Sequence, residues 1–291
     1  MQFPNKRLMV ITDNENLSDE SRNTYETVKI KDLNISWPTG FEITDKRINF
    51  RDNFWFSTKA RLFLIPKLME YYKLEKVLHI ENDVWIHPEF PFQLLNGLRH
   101  SLAYPRVDEL RGIASILLIN GESGGKLLTD ACVRWPDLTD MQILGQLLAK
   151  QQDVFALPST FGNEKNVLGN WIFDGAKIGM YLFGSDPKNT LGVIKRFKQS
   201  PMGALDSPLG IQSYKETVWL INEGTFKRVA NLHLHSKTVG MYNKNWLLIL
   251  NRQLKKNKMN LSYSFSLHAF LFSFRELTYR ILRRIKVKSK N

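Results

Sequence analysis

The segment Lys76-Val-Leu-His-Ile-Glu-Asn-Asp-Val-Trp-Ile-His87 decides how this chain is read. An apolar strand over Lys76–Ile80 runs straight into Glu81-Asn82-Asp83, and apolar residues resume at once. On extended backbone, carboxylates at i and i+2 point to one side of the strand. Two acids held together there repel each other and lose hydration. A divalent cation relieves both effects. Oxygen donors suit Mg²⁺ or Mn²⁺, which in turn bridge to phosphate oxygens. The plainer alternative is a surface turn with two ordinary acids; the buried-type strand in front weighs towards a site.

Strand and helix signals alternate on either side of this segment. Arg7–Thr12 reads as a strand. Asn53–Tyr72 carries a helical apolar stripe through Phe56, Ala60, Phe63, Leu64, Leu68 and Tyr71, with Pro66 inside it to kink or split the helix. Downstream, Ile113–Ile119 reads as a buried strand, Gly121–Arg134 and Asp140–Lys150 as helices, and Asp153–Leu157 and Arg228–His235 as further strands. Alternation of this kind predicts an α/β fold with a mainly parallel sheet flanked by helices. Chemistry in such folds gathers at the C-terminal ends of the strands.

The stretch Arg61–Ile86, a helix followed by a strand that delivers Glu81-Asn82-Asp83, resembles the core of the GT-A fold glycosyltransferases and their metal-binding D-x-D motif. Glu81 stands in place of the motif's first Asp. The resemblance implies Asp83 as the direct metal ligand, with Glu81 reaching the metal through water or holding the nucleotide ribose.

Thr139-Asp-Met-Gln-Ile-Leu144, followed by the strand and loop Asp153–Asn163, is similar to a D-Q-D-x-L-N helix start, a strand and an L-P-x-x-x-N segment. Those features belong to glycogenin-like and bacterial lipooligosaccharide galactosyltransferases. Asp140 and Gln142 then either bind the sugar or belong to a helix cap, with Gln142 three residues after Thr139. The two roles are compatible if the helix start faces the donor.

In Asn231-Leu-His-Leu-His-Ser-Lys237, the side chains of His233, His235 and Lys237 share one face of a strand. The resemblance implies a late His that completes the metal shell, either His233 or His235, and a following Lys that holds the diphosphate. The family's H-x-x-G-x-x-K-P-W does not occur as such. Trp171-Ile-Phe-Asp174-Gly-Ala-Lys-Ile-Gly179 places Asp174 in an aromatic-lined turn, which suits sugar recognition or a purely structural bend. It is similar to F-D-G-A-x-I-G-x-Y-L segments of bacterial sugar-transfer proteins.

Together the resemblance implies a metal-dependent glycosyltransferase. It would move a sugar from a nucleotide-diphosphate donor, with UDP favoured, to a glycan or lipid-linked hydroxyl in bacterial surface polysaccharide or lipooligosaccharide synthesis. Arg61 and Lys237 would neutralise phosphate or base-side groups, although Arg61 also reads as an ordinary helix-surface arginine. A late His ligand favours retention of configuration. Inversion would need a base near the acceptor, a role open to Asp174 or Asp140.

Other classes fit less well. A nucleotidyltransferase of the same fold expects a Gly-rich basic loop after its first strand, where this chain has Thr12-Asp-Asn-Glu-Asn. A glycosidase needs carboxylates on both sides of a bond, and Glu81 and Asp83 are too close together for that. Gly121-Glu-Ser-Gly-Gly-Lys126 has the wrong spacing for a phosphate-binding loop. His79, His87 and His100 lack the spacing of zinc ligands, and His87-Pro88 reads as the start of a turn.

The 291 residues carry a net charge of +13. That charge is uneven. Residues 252–291 hold eleven Lys or Arg against the single acid Glu276, while the remaining 251 residues are close to neutral. A neutral body argues against a nucleic-acid binder. The expected organisation is a GT-A-like domain over residues 1–251 and a basic amphipathic extension over 252–291. Leu267, Leu271, Phe274, Ile281 and Ile285 form an apolar stripe suited to an anionic membrane surface. The N-terminus reads as too short and polar for a signal peptide, and no apolar run reaches the roughly 18 residues of a membrane span. A cytoplasmic protein, peripheral at the inner face of the membrane, is expected. One cysteine, Cys132, excludes an internal disulfide and any Cys-based metal cluster.

Overall fold

The computed structural model describes residues 7–12, 25–38, 41, 54–159, 168–179, 210–214, 217–222 and 225–233. The protein is mixed α/β, with several sheets. It divides into two compact units. The first comprises Met1–His79, Arg99–Ala103 and Leu118–Phe155, and the second Ile80–Leu98, Tyr104–Leu117 and Ala156–Asn291. The expected boundary at residue 251 lies outside the described residues.

The first unit opens with a parallel pair of strands, β1 (Met9–Thr12) and β2 (Glu26–Lys29). Val28 and Leu33 pack on Leu68 of helix α1 (Phe54–Tyr72), with Met9, Ile11 and Tyr72 around them. Pro66 lies inside α1, yet the helix is continuous rather than split. Its ring packs against Gly125 of a later helix, α3 (Gly121–Arg134), where a Cβ would already lie 3.4 Å away. The neighbouring Gly124 faces the Ser101 carbonyl so closely that a Cβ would overlap it. Two consecutive glycines thus let α3 sit directly on backbone. The buried Lys59 donates to the Pro136 carbonyl at 2.5 Å and lies over the Phe41 ring at 4.8 Å. Burial lowers its pKa. Cys132, on the inner face of α3, is fully buried, and that burial pushes its thiol up to about 12.

Helix α4 (Asp140–Lys150) starts with the expected capping box. The Thr139 N–H donates to Gln142 Oε1 at 3.0 Å, and the Gln142 N–H donates to Thr139 Oγ1 at 3.4 Å. Caps of this type stabilise by about 1 kcal/mol.

Strands β3 (Lys76–Ile80), β5 (Leu102–Asp108), β6 (Arg111–Gly112), β7 (Ile116–Asn120) and β8 (Val154–Leu157) form one sheet, in the order β3-β7-β5-β6 with β8 also on β5. β5 pairs antiparallel with β7 through Leu102 and Ala103, and with β6 from Arg106 onwards. Pro105 falls between the two registers, the place in a strand that tolerates a missing N–H.

The second unit holds β4 (Val84–Ile86), the short helix α2 (Phe92–Asn96), and strands β9 (Trp171–Phe173), β10 (Gly210–Tyr214), β11 (Thr217–Asn222) and β12 (Thr225–His233). Its sheet runs β10-β11-β12-β4 with antiparallel pairing throughout, and β9 joins β12 in parallel. The expectation of a mainly parallel sheet does not describe this unit. Only two residues separate β10 from β11 and β11 from β12, and connections that short join antiparallel neighbours. His87 does begin a turn, as read: its carbonyl accepts the Phe90 N–H at 3.0 Å and its Nδ1 accepts the Glu89 N–H at 2.9 Å.

Candidate metal centre

Glu81-Asn82-Asp83 links β3 to β4. It is a tight turn rather than the extended backbone expected, closed by the Val84 N–H donating to the Glu81 carbonyl at 3.2 Å. The Glu81 N–H donates to the Ser115 carbonyl at 3.2 Å, which fixes the start of the turn. β4 then pairs with the end of β12, with Val84 opposite His233. This register sets His233 beside Asp83. The His233 Nε2 lies 3.1 Å from Glu81 Oε2 and 3.4 Å from Asp83 Oδ1. One donor atom from each of the three residues lies within 4.8 Å of the others. All three residues belong to the second unit. The His233 side chain is 6% exposed, that of Glu81 12% and that of Asp83 24%, so Asp83 forms the open side of the cluster.

The ring of His233 is held from behind. Its Nδ1 lies 2.8 Å from the Gly175 carbonyl, which can only accept, so Nδ1 carries the proton and Nε2 faces the carboxylates. The His233 backbone N–H donates to Asp174 Oδ2 at 3.1 Å. Burial works against a charged ring here. The Glu81 carboxylate and the hydrogen bond to Asp83 outweigh it, so the pKa rises to about 9.

The donor set fits a small divalent cation. Two carboxylates and an imidazole are hard-to-borderline ligands, a donor set that several divalent metal ions accept. Neighbouring ligands of a six-coordinate ion with bonds of about 2.1 Å lie about 3 Å apart, close to the two separations from the His233 Nε2. A histidine that donates its second nitrogen to a carbonyl is the usual arrangement of a metal-bound imidazole.

No protein-family model matches the chain, and no curated protein matches it.

The remaining expected site residues are placed differently. Asp174 is buried, and its carboxylate is taken up by three backbone N–H groups: Ile178 at 3.0 Å, Gly179 at 2.7 Å and His233 at 3.1 Å. Burial raises its pKa, and these bonds pull the other way. Of the two readings of Asp174, these contacts describe the structural bend: the carboxylate is taken up by backbone rather than held open for a sugar or as a base. Arg61, itself half-buried, forms an ion pair with the buried Asp140 at 2.5 Å between α1 and α4, so Arg61 is not the fully exposed helix arginine of one reading. Gln142 is used in the helix cap. These three residues all belong to the first unit. His235 and Lys237 lie outside the described residues.

Sequence reasoning gave no role to Ser115, Gly175, Gly179 or Asn231, all of which surround the cluster. A Cβ on Gly179 would overlap the His233 carbonyl oxygen. The buried Asn231 donates to the Asp174 carbonyl at 2.9 Å and accepts the Asp174 N–H at 3.1 Å. The signal was available for Asn231 alone: an amide in an apolar strand must find buried partners.

Proposed function

We propose that this protein is a metal-dependent glycosyltransferase with a GT-A-like arrangement, transferring a sugar from a nucleotide-diphosphate donor to a hydroxyl acceptor. The observation that carries the reading is the convergence of Glu81 and Asp83, from a strand-end turn, on His233. It brings together residues separated by about half the chain, in the pattern that the resemblance implies for a D-x-D motif and a late His.

Glu81, Asp83 and His233 would hold Mn²⁺ or Mg²⁺. When bound, the ion supplies positive charge against the leaving diphosphate. Asp83, the most exposed of the three, faces the side from which a donor approaches. Gly175 keeps the His233 proton on Nδ1, and Glu81 is anchored through its own N–H. The late His ligand favours retention over inversion, which would need a base near the acceptor. UDP-sugars are the favoured donors, and a glycan or lipid-linked hydroxyl of the bacterial surface is the favoured acceptor. The basic residues 252–291 would hold the enzyme at an anionic membrane surface. No helix among the described residues is long and apolar enough to cross a membrane.

The test is hydrolysis of a panel of UDP-, GDP- and CMP-sugars in the presence of Mn²⁺, with and without EDTA. One donor should turn over, and EDTA should abolish it. Asp83→Ala should slow it by about 100-fold or more, the scale on which losing one charge-stabilising group acts. Turnover indifferent to both EDTA and the substitution would sink the proposal.

A further inference from the structure

Strand β12 gains a residue against β9. Val229 lies opposite Ile172, but Asn231 lies opposite Phe173, with Ala230 left over. A bulge of this kind re-aims a side chain. It places the Asn231 amide against Asp174, the residue after β9. Both ends of the amide go to the backbone of that one residue, and the Ser115 hydroxyl adds a third bond to the Asp174 carbonyl at 3.3 Å. These bonds hold the N–H and the C=O of Asp174 together. Its carboxylate meets the His233 N–H, and the next carbonyl, that of Gly175, meets the ring Nδ1.

Asn231 itself is buried and makes no contact with Glu81 or Asp83 among the hydrogen bonds of the site. An apolar residue would fill the same strand position without burying an amide. The amide is needed because the loop it grips must hold a ring whose other nitrogen points at two carboxylates. We propose that Asn231 is a positioning residue of the metal centre, acting through Asp174 and Gly175 to keep the Nε2 of His233 aimed at Glu81 and Asp83. This rests on the metal-site reading given above.

The experiment uses the full-length chain and Mn²⁺ alone as probe, with bound and free ion separated by the electron paramagnetic resonance signal of aqueous Mn²⁺. Four proteins are compared: wild type, Asn231→Ala, His233→Ala and the double variant. Asn231→Ala should weaken Mn²⁺ binding about 10- to 100-fold, the usual effect of losing an outer partner of a metal ligand. Its circular dichroism and cooperative melting should be retained. In the His233→Ala background the same substitution should change affinity by less than about twofold, because a residue acting only through His233 has nothing left to act on. An unchanged affinity in the single variant, or an equal loss in both backgrounds, overturns the inference. If Asn231→Ala does not fold, Ser115→Ala reads the same chain of contacts. It should give a smaller loss that again needs His233, and a loss independent of His233 overturns the inference. Failure of the wild type to bind Mn²⁺ removes the metal-site reading itself, and the inference falls with it. A wild type that binds with unaltered affinity in the single variants leaves that reading standing and removes only the inference.

Discussion

In the proposed centre a proton and a metal ion compete for the Nε2 of His233. The free imidazole titrates near 6.5, and the ring in this protein near 9, raised by Glu81 and Asp83 against the effect of burial. Below about pH 6.5 the ring is charged in both folded and unfolded chains, and its ion pairs stabilise the metal-free fold in full. That contribution is lost as pH rises through about 9. Metal binding runs the other way. Mn²⁺ must displace one proton, so its apparent affinity should climb about tenfold per pH unit and level off above about pH 9. Mn²⁺ titrations at several pH values check this, and the proton-linked slope should vanish in His233→Ala. A slope unchanged in that variant would place the linked proton elsewhere. At this scale the sequence was informative wherever charge interrupts an apolar run, which is how Glu81, Asp83 and His233 came into view. It left Asp174 open between sugar recognition and a structural bend, because the N–H groups of Ile178, Gly179 and His233 that gather around it are backbone donors, and no side-chain pattern announces those.

At the scale of elements, the loop after β9 presses directly on the end of β12. Gly179→Ala would put a methyl group into the His233 carbonyl. Backbone on both sides leaves little room to yield, and overpacking of this kind costs about 1–3 kcal/mol or more. Thermal melts should show the loss, and the Mn²⁺ affinity should fall with it as the loop is pushed off His233. A variant that matches the wild type in both would mean the loop and strand are not in contact. Elements with one strong period were readable. α3 and α4 begin and end where glycine, Thr139 and the apolar spacing place them. β5 was not readable, because Pro105 argues against a strand and its tolerance depends on two partners switching beside it. β10 and β11 were missed for a related reason. Their pairing is set by two-residue connections without an Asn-Gly or Asp-Gly signal, so nothing local marked the hairpins.

At the scale of the whole molecule, the charge of +13 belongs mainly to residues 252–291. If that segment serves a membrane surface, vesicles rich in anionic lipid should carry the protein upward in a flotation gradient. Raised salt should release it. Lys286→Glu, Lys288→Glu and Lys290→Glu together in the full-length chain should leave it at the bottom. Equal flotation of both proteins would remove the membrane role and leave the catalytic reading intact. The single cysteine adds a different possibility. Cys132 lies sealed on the inner face of α3 with its thiol pushed up to about 12, so a thiol reagent meets neither an open path nor a thiolate. Modification must wait for the first unit to loosen. The chain therefore carries its own timer: the pace at which that one native sulfur is tagged counts the openings of α3, with no engineered cysteine.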